Sequence, residues 1–215
     1  MRFHYLLILL SGSLLVACGD KTANNQATPE PAATTAPAAP STATPMISDL
    51  PAIAGSGCAA GKAKLEVQSN KDSFTLSLAE LEAGTEGQKT NITCIMAIPV
   101  SVPAGYQVSI LPLHFKGSLA GNGLKVELRR EYFFAGTTGT PEVSSLSSPA
   151  DSSFDISDTV NNDDVTQWSI CGEDTNIRAN VRLIVKGGQG LAKLAISSGD
   201  TAQPNLFKLN YRPCN

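Results

Sequence analysis

The stretch IRANVRLIV, residues 177–185, decides the fold class of this chain. Its odd-numbered positions are all apolar, whereas Arg178, Asn180 and Arg182 occupy three of its even-numbered positions. Successive side chains of a β-strand point to opposite faces of the sheet. The pattern therefore predicts a strand that buries one face and exposes the other.

Comparable segments lie on both sides of this stretch, and turns rich in Gly, Pro and Ser separate them. No long window shows a 3.6-residue period with helix caps at both ends. About nine or ten short strands predict an all-β domain, an antiparallel β-sandwich of Ig-like or jelly-roll-like type, with a barrel as the alternative. The other segments are 63–69, 74–78, 92–102, 106–115, 124–134, 154–156, 165–170, 191–196 and 206–211, with glycine turns expected at 121–123 and 187–190.

The N-terminus has the layout of an export signal. Arg2 precedes an apolar run over residues 3–16, which closes with Leu15-Val-Ala-Cys18. At about 14 residues the run is shorter than the ~20 that a transmembrane helix needs. The tetrapeptide resembles a bacterial lipobox, which implies cleavage before Cys18 and acylation of that cysteine by a diacylglycerol and an amide-linked chain such as palmitate. The alternative is an ordinary cleaved signal with an incidental cysteine.

Composition divides the chain into a signal peptide over 1–17, a tether over 18–54 and a domain over 55–215. The tether is rich in Ala, Thr, Pro and Ser and has no aromatic residue. Such a segment buries too little apolar surface to offset its ordering entropy, so we expect it to be disordered. Its few large apolar residues come late, between Met46 and Ile53, and could form a strap against the domain.

The cysteine count supports acylation of Cys18. The chain has five cysteines, and setting Cys18 aside leaves four for an oxidising compartment, where two disulfides are expected. Three connectivities are open, of which we favour Cys58–Cys94 and Cys171–Cys214 because each closes one half of the domain. A zinc site is not expected, because the chain has no Cys-x-x-Cys pair.

Charge and the residue after Cys18 bear on partners and location. The net charge is −3 and the pI is near 5.4, so the chain lacks the basic field that nucleic-acid binding needs. We expect a monomer that is held to a bilayer by the lipid on Cys18, with its domain in the periplasm or at the cell surface. Gly19, and not Asp, follows the cysteine, which by analogy with known lipoproteins favours the outer membrane over the inner membrane.

A series of short motifs punctuates the domain in a recognisable order. The motifs are Gly57-Cys58-Ala-Ala-Gly61, Asn91-Ile-Thr-Cys94, Val102-Pro-Ala-Gly-Tyr106, His114-Phe-Lys-Gly117, Arg130-Glu-Tyr-Phe-Phe134, Cys171-Gly172 and Arg212-Pro-Cys214. Together they resemble the secreted protein family known as domain of unknown function 4360, over residues 56–214. The resemblance implies secretion, a β fold and a disulfide framework, but it implies no activity and transfers no functional residues.

The chain departs from the family pattern at three positions. His114 stands where an aromatic residue such as tyrosine is commoner, and Lys116 replaces the usual arginine. Ile170 stands where a small residue or proline often precedes the cysteine.

Residues suited to hydrolysis are few. A serine hydrolase would have to use His114 as its base, and the sequence has no Gly-x-Ser-x-Gly elbow. Glu80 and Glu82 are spaced to share one face of a strand, as a glycosidase pair would need. These residues carry the alternative function, an envelope hydrolase that acts on polysaccharide or peptide.

The densest group of oxygen ligands runs from Asp151 to Asp164 and includes Asp155 and Asp158. Calcium takes six to eight oxygens, often from one loop, and this spacing could supply several. The segment lacks the EF-hand spacing of glycine and glutamate. A solvated acidic turn is the alternative, so calcium is the one cofactor considered, and no metal ligands are assigned.

Three residues are candidate ligand contacts. Arg178 and Arg182 fall on one face of a strand and could contact an anionic glycan or phosphate, unless they form a plain solvent face. Trp168 either packs against a disulfide in the core or stacks on a sugar. The sequence therefore favours a non-enzymatic cell-envelope lipoprotein that binds a glycan or another envelope protein.

Overall fold

The described part of the chain is built from β-strands, apart from one short 3-10 turn. The computed structural model describes residues 43–161 and 163–214, so the predicted signal peptide, Cys18 and most of the predicted tether lie outside the described residues. The 3-10 turn spans Val165–Gln167. No helix formed by the described residues is long and apolar enough to cross a membrane.

The described residues form thirteen strands. In chain order they are β1 (Met46–Ile47), β2 (Ala52–Ala54), β3 (Ala63–Val67), β4 (Ser73–Leu78), β5 (Leu81–Gly84), β6 (Asn91–Ser101), β7 (Tyr106–Val108), β8 (His114–Phe134), β9 (Glu142–Ser147), β10 (Ser153–Ser157), β11 (Thr175–Ser197), β12 (Leu206–Lys208) and β13 (Tyr211–Pro213).

The strands make one large and two small antiparallel sheets. The large sheet has the order β1-β6-β11-β8-β10, and β2, β5 and β9 add to β6, β11 and β8, respectively. The small sheets are β12-β4-β3 and β13-β7. The large sheet ends at β1 and at β10 and does not close on itself. The prediction of an all-β antiparallel fold is confirmed, and the barrel alternative is not.

The inner face of β11 packs against the small sheet of β3, β4 and β12. Ile177 and Leu183 are buried, as the alternation predicts, while Arg182 is exposed on the opposite face. Phe74 of β4 lies opposite β11 and β6 and stacks on Phe207 of β12, with 5.2 Å between the ring centroids. Each large apolar side chain buried in this way stabilises the fold by roughly 1.5–3 kcal/mol. The core therefore lies between two layers, as in a sandwich.

The two expected glycine turns are wrong, because both segments lie inside long strands. β8 runs through 121–123 and β11 runs through 187–190, and Gly121 pairs directly with Gly190. Gly190 has a φ of +142°, and a Cβ there would lie 2.0 Å from the carbonyl oxygen of Ala120. Glycine marks a bulge or a close approach of two backbones as readily as a turn. Because glycine has no Cβ, the backbones of β8 and β11 stay paired at this close approach.

The sheet begins before residue 55, the predicted boundary between tether and domain. Ile47 in β1 pairs with Val100 and is 1% exposed, and Ala52 in β2 pairs with Ala97. Strands β1 and β2 therefore join the large sheet, and Ile47 is the member of the late apolar group that is buried there, whereas Met46 and Leu50 are exposed. The disorder of residues 18–42 stays a prediction.

The structure contains the two disulfides that the sequence favoured. Cys58 pairs with Cys94 of β6, with 5.2 Å between their Cα atoms, and Cys171 pairs with Cys214, with 5.9 Å between theirs. The paired residues are 36 and 43 positions apart in sequence. In the chain-entropy model, each disulfide that closes a loop of this size raises the free energy of the unfolded chain by about 4 kcal/mol and so stabilises the fold.

Candidate functional site

A cavity of about 410 Å³ opens at the end of the large sheet, where β8 ends and β11 begins. One wall is the end of β8 with the loop 135–140, and the other is formed by residues 164–170 with the start of β11. The pairing of Phe134 with Ile177 and the hydrogen bond from the Ala135 N–H to the Asn176 carbonyl join the end of β8 to the start of β11.

Trp168 lines this cavity and is largely buried. It is 6% exposed, and the Arg212 guanidinium carbon lies 3.9 Å from the centroid of its ring. Its Nε1–H is buried without a hydrogen-bond acceptor. A cation therefore lies over the ring that the sequence offered for sugar stacking, while the indole N–H remains an unused donor.

A buried polar cluster fixes Tyr132 in the cavity wall. Asp158 Oδ2 accepts hydrogen bonds from the Tyr132 hydroxyl and from Arg130 Nε, the latter at 3.0 Å. Arg130 Nη1 also donates to Ser144 Oγ at 2.9 Å. Burial first, and then the hydrogen bond to Asp158, raise the pKa of Tyr132 far above its ordinary value. Tyr132 therefore stays a neutral phenol, and its hydroxyl donates a hydrogen bond to Asp158.

Four carboxylates line the same cavity. Those of Glu142 and Glu173 are exposed and have no hydrogen-bond or ion-pair partner among the described residues. Asp174 Oδ1 accepts from the Val102 N–H at 2.8 Å. Asp164 Oδ1 accepts from the hydroxyl and the backbone N–H of Thr166, and these bonds lower the pKa of Asp164.

Hydroxyl groups and a second aromatic ring complete the lining. Thr138 and Thr140 lie in the loop after β8, and their hydroxyls have no partner among residues 43–161 and 163–214. Phe133 lines the cavity from the last residues of β8 and is half-buried. The site thus combines apolar rings, free hydroxyls and free carboxylates.

The two arginines that the sequence proposed as ligand contacts lie outside this cavity. Arg178 and Arg182 are on the outer face of β11, where Arg178 pairs in register with Phe133. Arg182 Nε donates to Asn91 Oδ1 at 2.8 Å, and Arg182 pairs with Arg129 of β8. Neither arginine is among the residues that line the cavity with Trp168, and Arg178 Nε is buried without a hydrogen-bond partner among the described residues.

His114 belongs to a row of side chains on three neighbouring strands. Its Nδ1 is 3.2 Å from Ser197 Oγ, and its Nε2 contacts Asp155 Oδ1. The hydrogen bond to His114 lowers the pKa of Asp155, and Lys116 adds to the effect from 3.3 Å. None of these side chains lines the cavity, and Asp155 is exposed. The row ties β10, β8 and β11 together.

Glu80 and Glu82 share one partner. Lys193 of β11 lies 2.9 Å from Glu82 and 3.8 Å from Glu80. The hydrogen bond and the charge of Glu82, followed by the charge of Glu80, raise the pKa of Lys193. A lysine ammonium therefore neutralises both glutamates, which a glycosidase pair would need free on either side of a substrate.

The acids between residues 151 and 164 are dispersed over different elements. Asp151 accepts from the Ser147 N–H at 2.7 Å, while Asp155, Asp158 and Asp164 have the separate partners described above. No group of three His, Cys, Asp or Glu side chains within the described ranges is placed to hold a metal ion. The calcium interpretation therefore finds no assembled ligand set in this part of the chain.

The sequence named Trp168 and Asp164 but missed the other polar groups of the cavity. Residues 135–140 are a Gly/Thr-rich loop, Glu142 stands alone, and Glu173 lies next to Asp174 about thirty positions later. None of these carries a motif, because the chemistry of the site arises only when the end of β8 meets the start of β11.

Comparison with known proteins assigns the family. Two solved structures are similar in part: TmCBM61 in complex with β-1,4-galactotriose (10% identity, 76% of this chain and 88% of the other, TM-score 0.25) and the enzymatically active domain of tailspike protein 4 from bacteriophage CBA120 (12%, 80% and 19%, 0.23). At these scores neither carries an argument about this chain. No curated protein matches the sequence. Residues 46–214 match the family described as Domain of unknown function (DUF4360), and the chain belongs to that family.

Proposed function

We propose that this domain binds a saccharide in the cavity between the end of β8 and the start of β11. The observation that carries the proposal is the lining, in which two aromatic residues, Phe133 and Trp168, occur together with hydroxyl and carboxylate groups that have no partner among the described residues. A sugar ring presents C–H faces that pack on aromatic rings and hydroxyls that both donate and accept hydrogen bonds. Binding sites of this kind are concave, largely pre-formed and provided with a few well-placed polar groups.

Binding without hydrolysis fits the position of the acid and base candidates. His114, Glu80 and Glu82 do not line the cavity, and each is already engaged with a neighbouring side chain. A general acid or base must lie within hydrogen-bond reach of the group it serves. The acid and base candidates that the sequence singled out are therefore not placed to act on a ligand in this cavity.

The test uses the only tryptophan of the chain as its reporter. Titration with trisaccharides of N-acetylglucosamine and of galactose is expected to change the emission of Trp168, which lines the cavity. Replacing Thr138→Val together with Thr140→Val removes two hydroxyls at nearly constant shape and is expected to weaken binding about tenfold.

The matched control replaces Thr159→Val and Thr201→Val, two exposed threonines outside the cavity, and should leave the affinity unchanged. Calorimetry with the same sugars provides a readout that does not depend on fluorescence. Absence of binding to every trisaccharide at millimolar concentration, or equal affinities for the two double variants, would overturn the proposal.

We further propose that the domain is displayed from the outer membrane through acylated Cys18. Support comes from the apolar run that ends in Leu15-Val-Ala-Cys18, and from the two disulfides, which form in oxidising compartments. In cells, the protein is expected to fractionate with outer membranes and to partition into detergent. Cys18→Ala should abolish both behaviours, and Cys18-independent membrane association would contradict the anchor.

A further inference from the structure

We propose that the cavity selects saccharides that carry amino groups and discriminates against acidic ones. The proposal rests on the saccharide-binding function proposed above and specifies the ligand class. It uses the net charge of the lining, whereas that function uses the lining's aromatic residues and its hydrogen-bonding groups.

The lining of the cavity is acidic. Glu142, Asp164, Glu173 and Asp174 contribute carboxylates, and no lysine or arginine is among the described lining residues. A cleft lined by charges of one sign concentrates its field at the opening and raises the local concentration of the opposite charge. A protonated amine is therefore attracted to this site, and a uronic acid or a sugar phosphate is repelled.

The nearest cations do not line the cavity. Arg130 is buried and pairs with Asp158, and the Arg212 guanidinium lies over Trp168. Arg178 is the cross-strand neighbour of Phe133 on the outer face of β11 and is not among the lining residues. Glu142 and Glu173 therefore face the opening without a compensating ion pair among the described residues.

A ligand with donors and acceptors fits the lining better than a metal ion. No three of the described acids are grouped as a metal site, so the carboxylates are spread around the cavity. An amino sugar offers ammonium donors to the carboxylates and hydroxyl groups to Thr138 and Thr140, which match the unpaired polar groups of the lining.

The experiment compares three trisaccharides of similar size and different charge. They are the trimers of glucosamine, of N-acetylglucosamine and of galacturonic acid, measured by calorimetry and Trp168 emission at slightly acidic pH and low salt. The glucosamine trimer is expected to bind about tenfold more tightly than its acetylated form. The galacturonic acid trimer is expected to bind at least tenfold more weakly than that acetylated form.

The key variant carries Glu142→Gln and Glu173→Gln. Its affinities for the glucosamine and N-acetylglucosamine trimers should differ by no more than about twofold. Added salt should reduce the preference of the native protein to the same extent. The control variant carries Glu66→Gln and Glu86→Gln, which remove two exposed carboxylates far from the lining and should keep the tenfold preference.

The outcomes distinguish failure of the amino-sugar selectivity from failure of saccharide binding. If the acetylated trimer binds as well as the glucosamine trimer, or if the control variant loses the preference as fully as the key variant, the amino-sugar selectivity is wrong while saccharide binding stands. If neither these three trimers nor the galactose trimer binds, saccharide binding itself is overturned.

Discussion

Replacing Gly190→Ala should cost about 3–5 kcal/mol of unfolding free energy. Gly190 has a φ of +142°, which alanine adopts only with strain. The new Cβ would also lie 2.0 Å from the carbonyl oxygen of Ala120, and a backbone atom cannot rotate away as a side chain does. The paired strands β8 and β11 would have to separate at the point where they are bent.

The control lies three residues earlier in the same strand. Gly187 has no positive φ, and a Cβ there would meet no atom within 4 Å. Gly187→Ala should therefore change stability by less than about 0.5 kcal/mol. Guanidinium denaturation followed by Trp168 fluorescence, with both disulfides intact, measures the two variants under the same conditions. Equal stabilities would show that the contact between Gly121 and Gly190 does not constrain the sheet.

Removing the carboxylate of Asp158 should have a comparable effect. Asp158 pairs with Arg130, which is 4% exposed, and accepts a hydrogen bond from the Tyr132 hydroxyl. Asp158→Ala leaves a buried guanidinium without a counter-charge and a buried phenol without its acceptor, which costs about 3–5 kcal/mol. Denaturation of purified protein measures the loss, and Asp163→Ala on the nearby exposed loop should lose less than about 0.5 kcal/mol.

A double replacement separates loss of the ion pair from loss of packing. Arg130→Met with Asp158→Leu fills the site with apolar groups and leaves no unpaired charge, so it should retain more stability than Asp158→Ala alone. If the double variant is less stable than the single one, the stacking of Arg130 over Phe115, at 5.6 Å from the ring centroid, matters more than its charge.

The strand faces were predictable from the sequence because they depend on a local rule. Ile177, Val181 and Leu183 alternate with polar residues and are buried, since the period of a strand is two wherever it lies. The glycine segments were not predictable in the same way. A glycine at a turn and a glycine at a strand crossing look alike in sequence, and only the partner strand distinguishes them.

The candidate site was predictable only in part. Trp168 lines the cavity, but Arg178 and Arg182, which share a face with each other, do not reach it. Glu142 and Glu173 attracted no interpretation, because an acid in a loop has no distinguishing pattern. Long-range pairing of β8 with β11 places both of them at one opening.

By itself the sequence determined the β class, the buried face of residues 177–185 and the set of four cysteines available for disulfides. These follow from side-chain period and from counting, which need no knowledge of neighbours in space. The tertiary structure decided that 121–123 and 187–190 are bends in continuous strands, and that an acidic cavity forms where β8 ends. Both depend on contacts between residues more than thirty positions apart, and such contacts exist only once the chain has folded.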